Sequence, residues 1–265
     1  MLYRAGNANI GLVRLNVQHV ECFHLVFLRM LEVRLDRARW VVKGGVNLRA
    51  WFGSVRYSED LDIDLIRGSV HSVQERIDNL LGSAAFRDLL AAQGLELTRS
   101  SKPKQTETTQ RWKFEVRAEG VAVPLHTRVE FSRRGSAEGY ALDPVRPEIV
   151  RPYAMLAPTA NHYTARSAVR QKVEALASRK QTQARDIWDL EHLLRTTGVN
   201  PGPFTPAQRK TLDAALDRAM SLSFDVFKAQ VVPYLAPEHQ EAYATPDAWA
   251  RICELVVDRL SEFLP

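Results

Sequence analysis

Apolar and charged positions along this chain recur in two rhythms. Over 15–37, Val20, Phe23, Leu25, Phe27, Leu28, Leu31 and Leu35 return with charges between them, and the spacing predicts a helix with one broad buried face. Trp40, Val41 and Val42 form a short apolar run that stops at Gly44 and Gly45. A helical pattern resumes over 46–52, giving strand, glycine turn and short helix. From 57 to 66 the period falls to two: Leu61, Ile63 and Leu65 take one side, Asp60, Asp62 and Asp64 the other. That alternation predicts a strand with one apolar and one acidic face.

A second amphipathic helix is expected over 73–92 and a strand over 95–99. The strand runs into 100–109, whose Ser, Thr, Lys and Pro content reads as an exposed loop. Segments 111–117 and 121–132 look like paired strands around Glu119 and Gly120. Pro144, Pro147, Pro152 and Pro158 then interrupt the pattern. The expected organisation is a mixed α+β domain over 1–155 and an all-helical domain over 156–265. The candidate helices of the second lie over 164–180, 184–196, 206–221, 224–231 and 247–263.

Composition narrows the class. A chain of 265 residues, 45% hydrophobic, can bury a substantial core in one or two domains. The apolar stretch 22–28 is too short to cross a bilayer and is flanked by Glu21 and Arg29. The first residues lack the apolar core of a secretion signal, so a cytoplasmic location without membrane attachment is expected. Cys22 and Cys253 stand far apart in apolar surroundings, with no spacing that suits zinc or a disulfide framework, and read as buried thiols. The net charge of +5 suits a phosphate-bearing partner, although a basic balance alone more often means a solvated surface.

Candidate chemistry concentrates in Lys43-Gly44-Gly45 and in Ser58-Glu59-Asp60-Leu61-Asp62-Ile63-Asp64. Side chains two apart on a strand share a face, so Asp60 and Asp62 can hold divalent cations together, and Mg²⁺ takes one or two carboxylates plus substrate phosphates. Three aspartates on one strand face repel one another unless positive charge sits among them. The glycines let backbone approach a triphosphate, with N–H groups of the following helix as donors. Glu130, between Val129 and Phe131, is a candidate third carboxylate; it reads equally well as a surface glutamate paired with Arg128 or Arg133. Lys172 and Arg179, seven apart, fall on one face of a predicted helix and can neutralise phosphate, with Lys172 read as an exposed cation that contributes little to folding. Asp186 and Asp189 open the next helix, where acids also suit the positive helix end.

Read together, Lys43-Gly44-Gly45, Arg56-Tyr57-Ser58-Glu59-Asp60-Leu61-Asp62-Ile63-Asp64, Lys172 with Ala175-Leu176, and Arg179 followed by Arg185-Asp186-Ile187-Trp188-Asp189-Leu190 resemble the AbiEii/AbiGii toxin family over roughly 40–195. The resemblance implies a DNA polymerase β-type nucleotidyltransferase core followed by a helical domain. It also implies a toxin that adds nucleotides to tRNA 3′ ends and is restrained by an antitoxin encoded nearby. By it, Asp60 and Asp62 bind Mg²⁺ with Glu130 as third carboxylate, and Gly44, Gly45, Ser58, Lys172 and Arg179 lie at the nucleotide. The same resemblance implies that Asp186 is an essential acid near the nucleotide. The family pattern usually carries Thr after the two glycines, where this chain has Val46. Arg166, Arg170, Arg179, Lys180 and Arg185 are the expected RNA-backbone surface. Two other readings stand beside this one: the same transfer to a protein or small-molecule acceptor, and a non-catalytic nucleic-acid or partner-binding module on the same fold.

Overall fold

The computed structural model describes residues 4–134 and 138–263, with side chains from residue 17 onward; the first three residues of the segment read for a secretion signal lie outside it. The chain divides into two compact units, one of Met1–Gly53 with Tyr57–Tyr163, the other of Ser54–Arg56 with Thr164–Pro265.

The first unit contains α1 (Arg4–Arg34), β1 (Trp40–Lys43), α2 (Gly44–Phe52), β2 (Asp60–Leu65), α3 (Val70–Leu81), α4 (Ala84–Ala91), β3 (Leu95–Gln105), β4 (Thr109–Ala118), β5 (Leu125–Ser132), β6 (Tyr140–Pro144), α5 (Pro147–Val150) and β7 (Thr159–Tyr163). Its strands form one mixed sheet in the order β3-β4-β5-β2-β1-β7-β6. The β1–β7 and β2–β5 pairs are parallel and the other four antiparallel. This is the α+β architecture expected from the pattern.

Three segments depart from the sequence reading. The helix expected over 73–92 is two helices, because Gly82 ends the first and the Ser83 hydroxyl accepts from the Phe86 N–H to start the next. The polar stretch 100–109 is strand through Gln105: as a sheet edge it has no need of apolar residues, and Lys102, Pro103 and Lys104 are the residue types that guard an edge. Strands β6 and β7 flank the proline cluster, so the compact unit runs through Tyr163, past the break suggested near 155.

Alternation puts Trp40, Val42, Leu61, Ile63, Trp112, Phe114, Val129 and Phe131 on one sheet face, where they are buried in a common core with α1, α3 and α4. Each such side chain contributes about 2 kcal/mol by leaving water. Phe23 of α1 meets Phe114 at a ring-centroid distance of 5.1 Å and Phe86 of α4 at 6.0 Å, edge on. Cys22 is a buried free thiol, which burial pushes up to about 12, and Cys253 is also free and buried.

His24 interrupts this apolar face. Its Nε2 lies 2.7 Å from Thr127 Oγ1, and that hydroxyl donates to the Glu59 carbonyl at 2.7 Å, so Nε2 must be the donor to Thr127. Burial holds the imidazole neutral, lowering its pKa to about 3. The unfolded chain takes up this proton near pH 6.5 and the folded chain does not, so stability falls as pH drops below 6.5 towards 3. Between pH 7 and 5 the loss from this one group is about 2 kcal/mol. Urea melts at both pH values should show a His24→Gln protein, which keeps a side-chain N–H, losing about that much less than the parent; equal losses would place the acid sensitivity elsewhere.

The second unit contains α6 (Ala165–Ser178), α7 (Ala184–Thr197), α8 (Pro206–Ser221), α9 (Phe224–Gln230), α10 (Pro237–Tyr243) and α11 (Pro246–Ser261). Thr205 and Gln208 form a reciprocal capping box at the start of α8, with Pro206 in the first turn. Phe227 stacks on Trp249 at 4.6 Å and lies 6.1 Å from Trp188. Ser54–Arg56 joins this unit through its backbone: the Ala236 N–H donates to the Val55 carbonyl, and Arg56 bridges Leu235. No described helix is long and apolar enough to cross a membrane.

Candidate active site

The strand alternation that buries Leu61 and Ile63 turns Asp60, Asp62 and Asp64 to the opposite sheet face. Neighbouring strands line up with them. Lys43 of β1 pairs in register with Asp62, Asp62 with Glu130 of β5, and Glu130 with Arg111 of β4. One row across the sheet thus reads Lys43, Asp62, Glu130, Arg111. The next row places Asp60 beside Arg128 and Lys113.

The three aspartates have different surroundings. Asp64 is buried, accepts from the Tyr163 hydroxyl at 2.7 Å and pairs with the Lys43 ammonium. Asp60 is half-buried and pairs with Arg128 at 2.8 Å. Asp62 stands before the glycine turn. Gly44 has φ +70°, and a Cβ built there would lie 3.1 Å from Asp62 Oδ2, so glycine lets the Asp62 carboxylate lie close against the start of α2. Lys43 provides no side-chain cap to α2, whose first N–H groups are the donors a phosphate would meet. Val46, where the family pattern has Thr, is buried in the core of the first unit.

Glu130, in register with Asp62, turns its carboxylate to Arg111 Nε at 2.7 Å and lies 3.8 Å from Arg134. Its partners are therefore Arg111 and Arg134, whereas Arg128 serves Asp60 and Arg133 donates to the Gly68 carbonyl and Gln110. Ser58 donates its hydroxyl to the Asp60 carbonyl at 2.8 Å, shaping the turn into β2. Among the described residues no group of three or more His, Cys, Asp or Glu side chains gathers as a metal cage. The donor chemistry still fits Mg²⁺. Asp60 and Asp62 are two hard carboxylates on one strand face, the donor set that Mg²⁺ takes together with phosphate and water oxygens.

The helical unit holds a second charged cluster. Lys172 Nζ lies 3.0 Å from Asp186 Oδ1 and 2.6 Å from Asp189 Oδ2. Arg179 Nε reaches Asp186 Oδ2 at 2.7 Å, and Arg56 grips both oxygens of Asp189 at 3.0–3.1 Å. Asp186 and Asp189 are 0% and 1% exposed, so two buried carboxylates are matched by three cations. Burial opposes the charge on Lys172, yet Asp189 and Asp186 outweigh it and hold the ammonium above its usual pKa. Burial likewise opposes ionisation of Asp189, and Arg56 and Lys172 keep it below the usual carboxylate range.

Lys172 is thus no exposed cation: its side chain is 12% exposed, and it bridges two carboxylates. Helix α6 ends at Ser178, so Arg179 reaches Asp186 from the extended residue after the helix rather than along a continuous helical face. Asp189, read from sequence as an acid suited to a helix start, is instead the buried partner of Arg56 and Lys172. A usable signal was present. Ala168, Val169, Val173 and Leu176 form the buried stripe of α6, and Lys172 falls within that stripe.

The residues expected to bind RNA are spread out. Arg166 and Lys180 are exposed near opposite ends of α6, about 20 Å apart along its axis. Arg170 donates to the Pro201 and Pro203 carbonyls at 2.9 and 3.2 Å and lies over the Phe204 ring, bracing that segment. Arg185 is half-buried in the first turn of α7.

A family model described as "Nucleotidyl transferase AbiEii toxin, Type IV TA system" matches residues 26–255. No curated protein sequence matches the chain. Among solved structures, JHP933 from Helicobacter pylori superposes with a TM-score of 0.58 at 17% identity, over 93% of this chain and 94% of its own. MenT4, a nucleotidyltransferase toxin from Mycobacterium tuberculosis, superposes with a TM-score of 0.59 at 19% identity, over 96% of this chain and 89% of its own. At these identities the likeness is one of fold.

Proposed function

This chain belongs to the nucleotidyl transferase AbiEii toxin family, and from that premise we propose that it moves a nucleoside monophosphate from an NTP to RNA, at a tRNA 3′ end. The observation that carries the reading is the Asp60–Asp62 pair on one face of β2, with the Asp62 carboxylate close against the glycine turn at Gly44. The reaction joins the acceptor hydroxyl oxygen to the α-phosphorus as the bond to pyrophosphate breaks. Mg²⁺ held by Asp60 and Asp62 would supply positive charge to the transferring phosphate.

The chain's own groups complete the assignment. Backbone N–H groups at the start of α2 receive phosphate oxygens, which the left-handed turn at Gly44 allows to come close. Arg128 holds Asp60 in place through their ion pair. Glu130, in register with Asp62 and paired with Arg111, is the carboxylate that would serve as a third Mg²⁺ ligand. Lys172 bridges Asp186 and Asp189 and so holds the charged cluster of the helical unit together. Asp186 also fixes Arg179, whose side chain keeps 40% exposure and can meet an anion. A cognate antitoxin restrains the activity, as membership of a toxin–antitoxin family implies.

The test is to incubate the protein with Mg²⁺, total RNA and each labelled NTP in turn. A labelled band of tRNA size, lost on chelation, is the expected result. Label on protein alone, or on no macromolecule, would overturn the acceptor.

A further inference from the structure

We infer that the acceptor docks by its phosphate backbone on the exposed sheet face of β3, β4 and β5, an inference that rests on the RNA reading above. The register places Lys104 beside Arg111 and Ser101 beside Lys113, while Arg99 stands across from Glu115. Arg128 and Glu130 continue the same face on β5, and Asp60 and Asp62 end it on β2. Arg99, Lys104 and Lys113 are exposed, and no ion pair to any of them is seen among the described residues. The carboxylates on this face are already engaged: Glu115 accepts from Thr98, Glu130 from Arg111, and Asp60 pairs with Arg128.

Unneutralised charge therefore remains at the outer strands and is positive, whereas the acids needed for phosphoryl chemistry lie about 14 Å away, three strand spacings across the sheet. A polyanion bound along this face reaches the reacting carboxylates from the side. Residues two apart on β4 stand about 7 Å from each other, a spacing that suits successive phosphates of one strand. The outward positions of β4 are Arg111, Lys113, Glu115 and Arg117 and carry no aromatic or large apolar side chain, so this central strand of the face offers neither a base-stacking platform nor a protein-type anchor. Recognition there rests on backbone charge, which is tolerant of sequence.

The test uses the full chain with fluorescent bulk tRNA across a salt series, with a fluorescent NTP analogue and polyglutamate as separate probes. Lys104→Glu with Lys113→Glu should weaken tRNA binding by about tenfold or more at 0.1 M salt and make the log–log salt slope shallower by about two. NTP-analogue binding should stay unchanged. Lys210→Glu with Arg251→Glu, exposed positions of the helical unit, makes the same change in net charge and should leave tRNA affinity near the parent's. Equal weakening by both double variants, or by neither, would overturn the docking face. So would polyglutamate that binds the parent, is lost in the sheet variant and is not displaced by tRNA, since the face would then belong to an acidic protein. Labelling of RNA by the parent is scored separately: the transfer assay decides the acceptor, and the binding series decides where it docks.

Discussion

Asp62→Asn will keep the fold and lose nucleotidyl transfer by about 10³-fold or more, as will Asp60→Asn. The amide is nearly the shape of the carboxylate but carries no charge, so several kcal/mol of stabilisation at the transferring phosphate disappears. Neither residue is part of the apolar core, and the Asp62 carboxylate lies against the glycine turn at Gly44. Asp64→Asn should behave differently. Its carboxylate is buried against Lys43 and Tyr163, so the change costs about 2 kcal/mol of stability and reduces transfer only as far as it reduces the folded population. Single-turnover transfer by the three purified variants, with circular dichroism to verify folding, separates the roles. An Asp64→Asn protein that is folded yet as inactive as Asp62→Asn would mean the ligand pair lies one pleat further along.

The second large effect concerns stability. Lys172→Ala leaves Asp186 without its ammonium and Asp189 with Arg56 alone, both carboxylates almost wholly buried. Removing one partner of a buried ion pair costs about 3–5 kcal/mol, which in a protein of this size lowers Tm by roughly 10 °C. Asp189, with its pKa depressed, stabilises the fold above about pH 4 and stops doing so as pH falls through that lowered value. Lys172, with its pKa raised, stabilises it below about pH 10 and stops as pH rises through the raised value. The difference in stability between parent and variant should therefore be flat between pH 5 and 9. A Tm within 2 °C or so of the parent's would show that Lys172 is not the centre of this network.

The elements that signalled themselves in sequence were those with one wet and one dry face. Alternation over Asp60–Leu65 gave both the strand and the shared face of Asp60 and Asp62, because the apolar set packs on the core. The second half of β3 hid because residues 100–104 are all exposed at the sheet edge and look like loop. Strand β7 has only five residues and follows Pro158, too short a run for its period to register. The Arg56–Asp189 pair joins positions 133 apart, and no local spacing encodes such a partner. Lys172 differs from its sequence reading for another reason. Charge suggests exposure, whereas position in the α6 stripe is the better guide to burial.

The excursion of Ser54–Arg56 into the helical unit also bears on the order of events during synthesis. Arg56 leaves the ribosome long before α7 exists, and at typical elongation rates its guanidinium waits about ten seconds or more for Asp189. During that interval the strand-bearing unit can close its sheet through Tyr163, but the helical unit has no route to completion from its own contiguous stretch. A nascent chain therefore carries the α+β core before the helical unit is assembled. Proteolysis between Gly53 and Tyr57 would separate Arg56 from one flanking segment, while cleavage near Thr164 would part it from Asp189 along the chain, so neither cut divides the protein into two self-sufficient halves.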